Sequence, residues 1–177
     1  MLMIVLIVFV LIYIIVVNNG IIKSKNRVKQ SKSSIDVYLN QRFDLIPNLV
    51  ECVKAYMEYE KDVLETITKE REKYMNDSKK DLKEAGKINS TCNYILATAE
   101  NYPDLKASEQ FLELQKALTK TENQIQAARR LYNSDVTSYN TKIKTFPTVL
   151  IAILFHHKEA ELFEIEDYKK ENVNIDM

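Results

Sequence analysis

The sequence predicts an all-α protein, with an N-terminal transmembrane helix followed by an antiparallel bundle of about four helices, two of them long. Three observations support this prediction. Glycine occurs twice and proline three times in 177 residues, which leaves little turn chemistry for a β fold. The first 17 residues carry no charged side chain, and all 25 basic and 25 acidic residues follow them. Beyond this segment, apolar residues recur at alternating steps of three and four, the spacing of one helix face.

Residues 1–22 are predicted to form a membrane anchor. Residues 1–17 are uninterruptedly apolar, and Ile21 and Ile22 extend the stretch. As a helix it is about 26–33 Å long, which matches the hydrocarbon core of a bilayer. A cleaved signal peptide would begin with a basic region and end at a small-residue cleavage site, and the sequence has neither. A buried core helix is expected to keep some polar face, which this stretch lacks.

Residues 23–32 form a basic juxtamembrane segment. It contains five cations, all before the first acidic residue: Lys23, Lys25, Arg27, Lys29 and Lys32. Because basic flanks are retained in the cytoplasm, the predicted topology is a single pass through the cell membrane, with the N-terminus outside and the bundle in the cytoplasm. The same cations would contribute about 1 kcal/mol each against anionic headgroups. In the cytoplasm, Cys52 and Cys92 are expected to stay reduced and to pack as small apolar side chains.

The bundle is assigned to residues 33–164. Its first apolar seam keeps the helical period across Pro47, through Ile35, Leu39, Arg42, Ile46, Leu49, Val53, Tyr56, Glu60, Val63 and Ile67. The favoured interpretation is one helix, kinked at Pro47, that runs from the anchor to about Tyr74. The alternative is that Asp44 caps a new helix with Pro47 in its first turn.

A second, shorter helix is expected to follow. Ser78 and Asp81 have the spacing of a capping box and predict its start, and its pattern continues to Ala99. Residues 100–105 interrupt the pattern and are interpreted as an ordered turn. Ser108 is a suitable N-cap for the helix that comes next.

The longest helix of the bundle is predicted over residues 111–147. It has no glycine or proline before Pro147, so its length would be roughly 55 Å. Its seam has heptad spacing, as in a coiled coil, through Phe111, Leu114, Leu118, Thr121, Ile125, Ala128, Tyr132, Asp135 or Val136, Tyr139, Ile143 and Phe146. A helix this long with one apolar stripe needs partner helices to cover the stripe.

The C-terminal part begins with an apolar run, VLIAILF, at residues 149–155. It is too short to span a bilayer, and Thr148 can cap it as a short helix. If successive helices alternate in direction, the long helix ends far from the membrane and the run packs as core. Contact with the bilayer interface is the alternative. Residues 165–177 are acidic and are predicted to be a disordered tail.

Several stretches resemble the signature sequences of the LemA family. They are RFDLIPNLV at 42–50, ENYPDLKA at 100–107, and the long-helix pairs 114–115, 121–123, 128–129, 132–133, 139–140 and 146–147. The resemblance covers roughly residues 32–163. It implies a bacterial-type membrane protein with one N-terminal anchor and a cytoplasmic helical bundle. It does not indicate which biochemical activity the protein has. His156 and His157 stand where many members have Gly-Phe, so a local turn is expected to be lost there.

Seven polar residues accompany the seams, and we call them the polar lane: Arg42, Asp44, Asn48, Glu122, Arg129, Asn133 and Asn140. The last four are spaced seven, four and seven residues apart beside the seam of the long helix. A catalytic cleft of carboxylates and a guanidinium is one interpretation. Interhelical hydrogen bonds and ion pairs that fix the register of two helices are the favoured one.

Signatures of enzymes are mostly absent from the sequence. Two glycines do not make a phosphate-binding loop or a dinucleotide fingerprint, and two cysteines 40 residues apart lack the usual spacing of a zinc site. The pairs His156–Glu159 and His157–Glu161 offer two metal ligands each, and each pair stands alone. The favoured interpretation is therefore that these side chains are solvated polar residues and not metal ligands. We therefore expect no enzymatic activity, no cofactor and no metal. The formal net charge of zero gives no field that would attract nucleic acid.

The favoured function is a membrane-anchored cytoplasmic helical bundle that acts as a non-enzymatic scaffold or interaction module. Its expected partners are membrane lipid, through the anchor, and a protein partner or a second copy of itself. A membrane-organising protein that engages lipid through the basic segment and the apolar run is the alternative. A metal-dependent sensor or enzyme built on the polar lane or the histidines is the least favoured hypothesis.

Overall fold

The computed structural model describes residues 1–77 and 82–163. All regular structure in these residues is helical, which confirms the all-α prediction. The α-helices are α1 (Leu2–Phe43), α2 (Ile46–Lys54), α3 (Lys61–Asn76), α4 (Leu82–Thr98), α5 (Pro103–Lys106), α6 (Glu109–Lys144) and α7 (Thr148–Leu154). The expected capping box at Ser78 and Asp81 and the expected disordered tail at 165–177 lie outside the described residues.

The described chain divides into two compact units. The first unit takes in residues 1–36 and 126–163, and the second takes in residues 37–125. The two long helices, α1 with 42 residues and α6 with 36, contribute residues to both units. Two long helices were expected from the sequence, although the first of them has different bounds.

The first long helix ends at Phe43, before Pro47. The prediction of one kinked helix continuing to Tyr74 is therefore wrong, because the chain breaks after α1 and again between α2 and α3. Pro47 lies in the first turn of α2, where its missing N–H costs no helical hydrogen bond. The alternative is closer to the structure, but the N-cap residue is Leu45 rather than Asp44, and it makes no side-chain capping bond.

The N-terminal part of α1 has the length and composition of a membrane-crossing helix. None of its most apolar 18-residue window is buried within the described structure. A core helix of a soluble bundle would be mostly covered, because exposing so much contiguous apolar surface to water is unfavourable. Farther along the same helix, Ile35 and Leu39 are fully buried.

The core of the second unit contains many of the predicted seam residues. Its fully buried apolar side chains include Leu39, Phe43, Ile46, Leu49, Val53, Met57, Ile67, Tyr74, Ile88, Cys92, Ile95, Leu105, Leu118 and Ile125. The rings of Phe43 and Tyr74 meet edge to face, with 5.0 Å between centroids. Tyr56 is an exception among the predicted seam residues, because its side chain is exposed. Both cysteines are free, and Cys52 is only half-buried.

The core of the first unit joins α1, α6 and α7. Its buried residues are Ile21, Tyr139, Ile143, Ile151 and Ala152, and Ile14, Val17, Val28 and Ala160 pack against them. The end of α6 and the buried side of α7 therefore pack beside the end of the predicted anchor. This overturns the argument that the apolar run lies at the opposite end, which assumed an unbroken first helix. Phe146, placed in the seam by the sequence pattern, is exposed.

The turn after α7 is retained although no glycine is present. His156 has a left-handed φ of 56°. Its N–H donates to the carbonyl of Ile153 at 3.1 Å, and the N–H of His157 donates to the carbonyl of Ala152 at 2.9 Å. These two bonds form a Schellman motif. The expected loss of the turn is therefore wrong: a histidine occupies the position that usually takes glycine.

Replacing this histidine by glycine is expected to stabilise the chain. His156→Gly should raise the unfolding free energy by roughly 0.5–1 kcal/mol, because glycine adopts a positive φ without the clash of a Cβ atom. Thermal unfolding of the full chain in detergent, followed by circular dichroism, should show a rise of about 2 °C. His156→Ala is the matched control, since it removes the imidazole and keeps the Cβ. An equal rise for both variants would assign the effect to the imidazole instead.

Candidate functional site

The residues of the polar lane make contacts in both units. Arg42 and Glu122 meet in the second unit. Asn133 and Asn140 instead bind the chain that follows α7, in the first unit. The carboxylate of Glu122 and the amides of the two asparagines thus serve different contacts.

Arg42 is the centre of the cluster in the second unit. Its side chain is 2% exposed, and its Nη1 forms an ion pair with the carboxylate of Glu122, whose side chain is 22% exposed. Its Nη2 donates to Oδ1 of Asn93 at 2.8 Å. The guanidinium therefore joins the last turn of α1 to α4 and α6. A buried charge with such partners fixes the relative register of the helices that carry them.

Cys92 lies next to this guanidinium and is fully buried. Burial raises the pKa of its thiol, an effect that the nearby charge and hydrogen bond of Arg42 reduce and the charge of Glu122 increases. The thiol is therefore protonated at neutral pH and is not the thiolate that a nucleophilic mechanism needs.

The two polar-lane residues that follow Arg42 in the sequence, Asp44 and Asn48, lie at the surface. The exposed carboxylate of Asp44 is 3.4 Å from Nη2 of Arg71, whose Nε donates to the carbonyl of Phe43 at 2.6 Å. Arg71 thus satisfies a carbonyl at the C-terminal end of α1. Asn48 is exposed on α2. The sequence pattern missed Asn93 and Arg71, because neither has a local spacing that relates it to Arg42.

The second cluster holds the segment after α7 along α6. The Nδ2 of Asn140 donates to the carbonyl of Ala160 at 2.8 Å, and the Ala160 N–H donates back to Oδ1 of Asn140 at 2.9 Å. Asn133 repeats this pairing with Phe163, at 3.1 and 2.8 Å. Each asparagine amide satisfies both backbone groups of one residue, as a neighbouring strand would.

Two tyrosines complete the arrangement. The hydroxyl of Tyr139 donates to the carbonyl of Lys158 and that of Tyr132 donates to the carbonyl of Glu161, both at 2.9 Å. Burial raises the pKa of both hydroxyls, so both are protonated donors at neutral pH. We call Tyr132, Asn133, Tyr139 and Asn140 the Tyr-Asn ladder. Its two pairs are seven residues apart, about two helical turns, so both face the same segment.

Arg129 of the polar lane also contacts the end of this segment. Its guanidinium carbon lies 4.5 Å from the centroid of the Phe163 ring, a cation–π contact. The three polar-lane residues of the first unit thus all engage the chain at Ala160 and Phe163. Their spacing of four and seven residues is explained because all three side chains contact the same segment after α7.

Comparison with known proteins agrees with these motifs. A family model described as the LemA family matches residues 31–177, which include all seven residues of the polar lane. The chain belongs to the LemA family. The resemblance seen in the sequence is therefore confirmed.

Relatives of this LemA-family chain include proteins from two bacteria. Protein LemA of Metamycoplasma hominis is 26% identical over 159 residues, covering 88% of this chain and 73% of that protein. The magnetosome proteins MamQ 1 and MamQ 2 of Paramagnetospirillum magneticum are each 25% identical over 79 residues. Those matches cover 45% of this chain and 29% of each magnetosome protein.

In the LemA-family chain, His157 contacts Asn18, and the carboxylate expected beside His156 pairs with a lysine. Nε2 of His157 is 3.1 Å from Oδ1 of Asn18, and burial together with the charge of Lys25 lowers the pKa of this imidazole. Glu159, proposed as a ligand with His156, pairs with Lys144 at 2.7 Å. Across residues 1–77 and 82–163, no group of three or more His, Cys, Asp or Glu side chains is arranged to hold a metal ion.

Proposed function

We propose that this LemA-family protein is a single-pass membrane protein whose helical bundle lies in the cytoplasm and acts as a non-enzymatic scaffold. The observation that supports this most is the continuity of α1 from its exposed apolar part to the buried Ile35 and Leu39. The same helix thus carries the stretch that can cross a membrane and residues of the buried core. The cations at 23–32 favour the cytoplasmic side for the bundle.

The polar clusters support a structural role for the buried polar residues. Arg42 joins three helices, and the Tyr-Asn ladder holds the chain after α7 in one extended path. Both arrangements consume hydrogen-bonding capacity that a catalytic site would direct at a substrate. The surface left for a protein partner, or for a second copy, includes the exposed Leu112 and Leu131 on α6.

Membrane insertion and orientation are tested first. The full chain is expected to stay in the membrane pellet in alkaline carbonate, and a variant without residues 1–22 is expected to be released. In intact cells, and in a background of Cys52→Ser and Cys92→Ala, an impermeant thiol reagent should label a cysteine in an N-terminal tag, but should label Tyr59→Cys only after permeabilisation. Tyr59 is suited to this test because its side chain is 95% exposed. Release of the full chain by carbonate would contradict the anchor, and the reverse labelling would contradict the orientation.

The scaffold role is tested by crosslinking in cells. A photoreactive amino acid at Leu131 or Leu112 is expected to capture one reproducible protein partner or a second copy of the chain. Photoreactive residues at Lys120 and Ser138, which are exposed polar positions on the same helix, serve as matched controls. No captured protein, together with a strictly monomeric chain in detergent, would contradict the scaffold role.

One observation favours the second candidate, a protein that engages lipid. The exposed part of the apolar run lies beside α1, close to the basic segment at 23–32. Cations next to exposed apolar side chains are the combination that binds anionic membrane surfaces. In this function the chain would organise the membrane around its own anchor.

A further inference from the structure

The short helix α7 has an apolar side that no described residue covers. Ile151 and Ala152 are buried, whereas five other large apolar side chains in and next to the helix are 47–76% exposed. We call these five the α7 apolar face: Phe146, Leu150, Ile153, Leu154 and Phe155. Scattered exposed apolar residues are ordinary on protein surfaces, but five within ten consecutive residues indicate a contact surface.

The position of α7 along α1 suggests what covers this face. The buried Ile151 and Ala152 share a core with Ile21, against which Ile14, Val17 and Val28 of α1 also pack. The neighbouring polar contacts lie at the same level of α1. Nε2 of His157 is 3.1 Å from Oδ1 of Asn18, and Lys142 Nζ donates to the carbonyl of Gly20 at 2.9 Å.

Gly20 leaves close space for the Lys142 ammonium. A Cβ atom added at this position would approach Nζ of Lys142 to 3.2 Å, so the end of this flexible side chain would have to shift by a few tenths of an ångström. The shared core and the two polar contacts together place the end of α6 and the α7 segment along residues 14–28 of α1.

Residues 14–21 belong to the last part of the membrane-crossing stretch. A hydrocarbon core about 30 Å thick takes about 20 helical residues, so a crossing that begins at Leu2 ends near Ile21. The α1 residues of the core shared with α7, from Ile14 to Val28, therefore lie within roughly 12 Å of this boundary, on either side of it. Helices that lie in the interface bury their apolar side about 5–10 Å into this region.

Cations surround the same region. Lys142 and Lys144 end α6, Lys158 follows α7, and Lys23 and Lys25 follow the crossing on α1. Lys144 pairs with Glu159 at 2.7 Å. Long basic side chains next to exposed apolar ones can reach anionic headgroups while the apolar side chains enter the acyl region.

We propose that α7 is a second membrane contact of this protein, in which the α7 apolar face inserts into the cytoplasmic side of the bilayer beside the anchor. The occupant of this face is therefore lipid, and the inference rests on the proposed anchoring by α1. A single crossing helix can tilt and rotate in the membrane, and a second contact at its cytoplasmic end limits both motions. The bundle would thereby be held at a defined angle to the membrane.

The test measures how deep individual side chains lie in the bilayer. Full-length chain is reconstituted in nanodiscs of phosphatidylcholine and phosphatidylglycerol, in a background of Cys52→Ser and Cys92→Ala. Single cysteines at Leu154, Phe9 and Tyr59 carry a spin label. Phe9 is the membrane reference because it is exposed on the apolar part of α1, and Tyr59 is the aqueous reference because it is exposed in the second unit.

The labels are compared by their accessibility to oxygen, which concentrates in lipid, and to a water-soluble nickel chelate. We expect the oxygen-to-nickel ratio at Leu154→Cys to be several-fold above that at Tyr59→Cys and close to that at Phe9→Cys. An aqueous ratio at Leu154→Cys with a lipid ratio at Phe9→Cys would overturn the inference and leave the anchor intact. Aqueous ratios at both positions would overturn the anchor itself.

A second measurement needs no cysteine variant. Full-length chain of native sequence is reconstituted with a lipid that carries a diazirine in its acyl chain, and photolabelled peptides are identified by mass spectrometry. Adducts are expected in residues 2–17 and in residues 146–155. Adducts confined to residues 2–17 would overturn lipid as the occupant of the α7 apolar face.

Discussion

Arg42→Met is expected to destabilise the full chain by about 3–5 kcal/mol, because it removes the cation that neutralises Glu122 inside the second unit. It also removes the donor to Asn93, which lies 2.8 Å from the guanidinium. Thermal unfolding in detergent, followed by circular dichroism, should show a fall in midpoint of roughly 10 °C or more. A loss of less than about 1 kcal/mol would contradict the central role of Arg42 in the packing of α1, α4 and α6.

Two further variants separate charge from geometry at this position. Arg42→Lys keeps the positive charge but offers a compact ammonium instead of a planar fork, so we expect an intermediate loss. The double variant Arg42→Met with Glu122→Gln removes both charges, and it should be more stable than Arg42→Met alone. The double-mutant cycle then gives the interaction energy of the pair. Additive losses would indicate that the two side chains stabilise the unit independently.

Replacing both asparagines of the Tyr-Asn ladder should release the segment after α7. Asn133→Leu with Asn140→Leu removes four hydrogen bonds to Ala160 and Phe163, which together contribute about 2–4 kcal/mol. We expect the backbone amides of Ala160 and Phe163 to exchange hydrogen about a hundredfold faster or more, since this exchange reports the free energy of local opening. Hydrogen exchange of the full chain, read by mass spectrometry, measures this directly.

An isosteric change provides the matched control for the ladder. Asn133→Asp with Asn140→Asp keeps oxygen acceptors for the two N–H groups but removes both donors to the carbonyls. Exchange at Ala160 and Phe163 should therefore accelerate less than in the leucine variant. Ser138→Leu, at an exposed position on the same helix, should leave exchange unchanged. Unchanged exchange in the double leucine variant would show that the tyrosines and the core of the first unit hold the segment without the asparagines.

The helical elements were predictable because their signals are local. The period of apolar residues located α4 and α6, and most of the predicted seam of α6 is buried, including Phe111, Leu118 and Tyr139. Phe146 fits the same period but is exposed, so the period predicted its burial wrongly. Periodicity identifies a face of a helix, but it does not say how far along the helix the partners extend.

The polar contacts were only partly predictable. Asn133 and Asn140 stood out by their spacing, yet their partners are backbone groups of Ala160 and Phe163, which have no sequence signature. Arg42 and Glu122 were assigned to the same polar lane from the pattern, whereas Asn93 was missed. Asn93 comes 51 residues after Arg42, so no local sequence pattern relates the two side chains.

The sequence by itself determined the helical class, the apolar stretch that can cross a membrane and the membership in the LemA family. These three properties depend on amino-acid composition, on the period of apolar residues and on motifs of consecutive residues. All of these can be recognised without knowledge of the fold. Only the tertiary structure decided that α1 ends at Phe43, which contacts the polar lane makes, and that α7 shares a core with residues 14–28 of α1. The physical reason is that packing between distant segments depends on where helices end and which segments then meet. The seam continues without a phase change across Pro47, so it did not reveal the end of α1 before that residue.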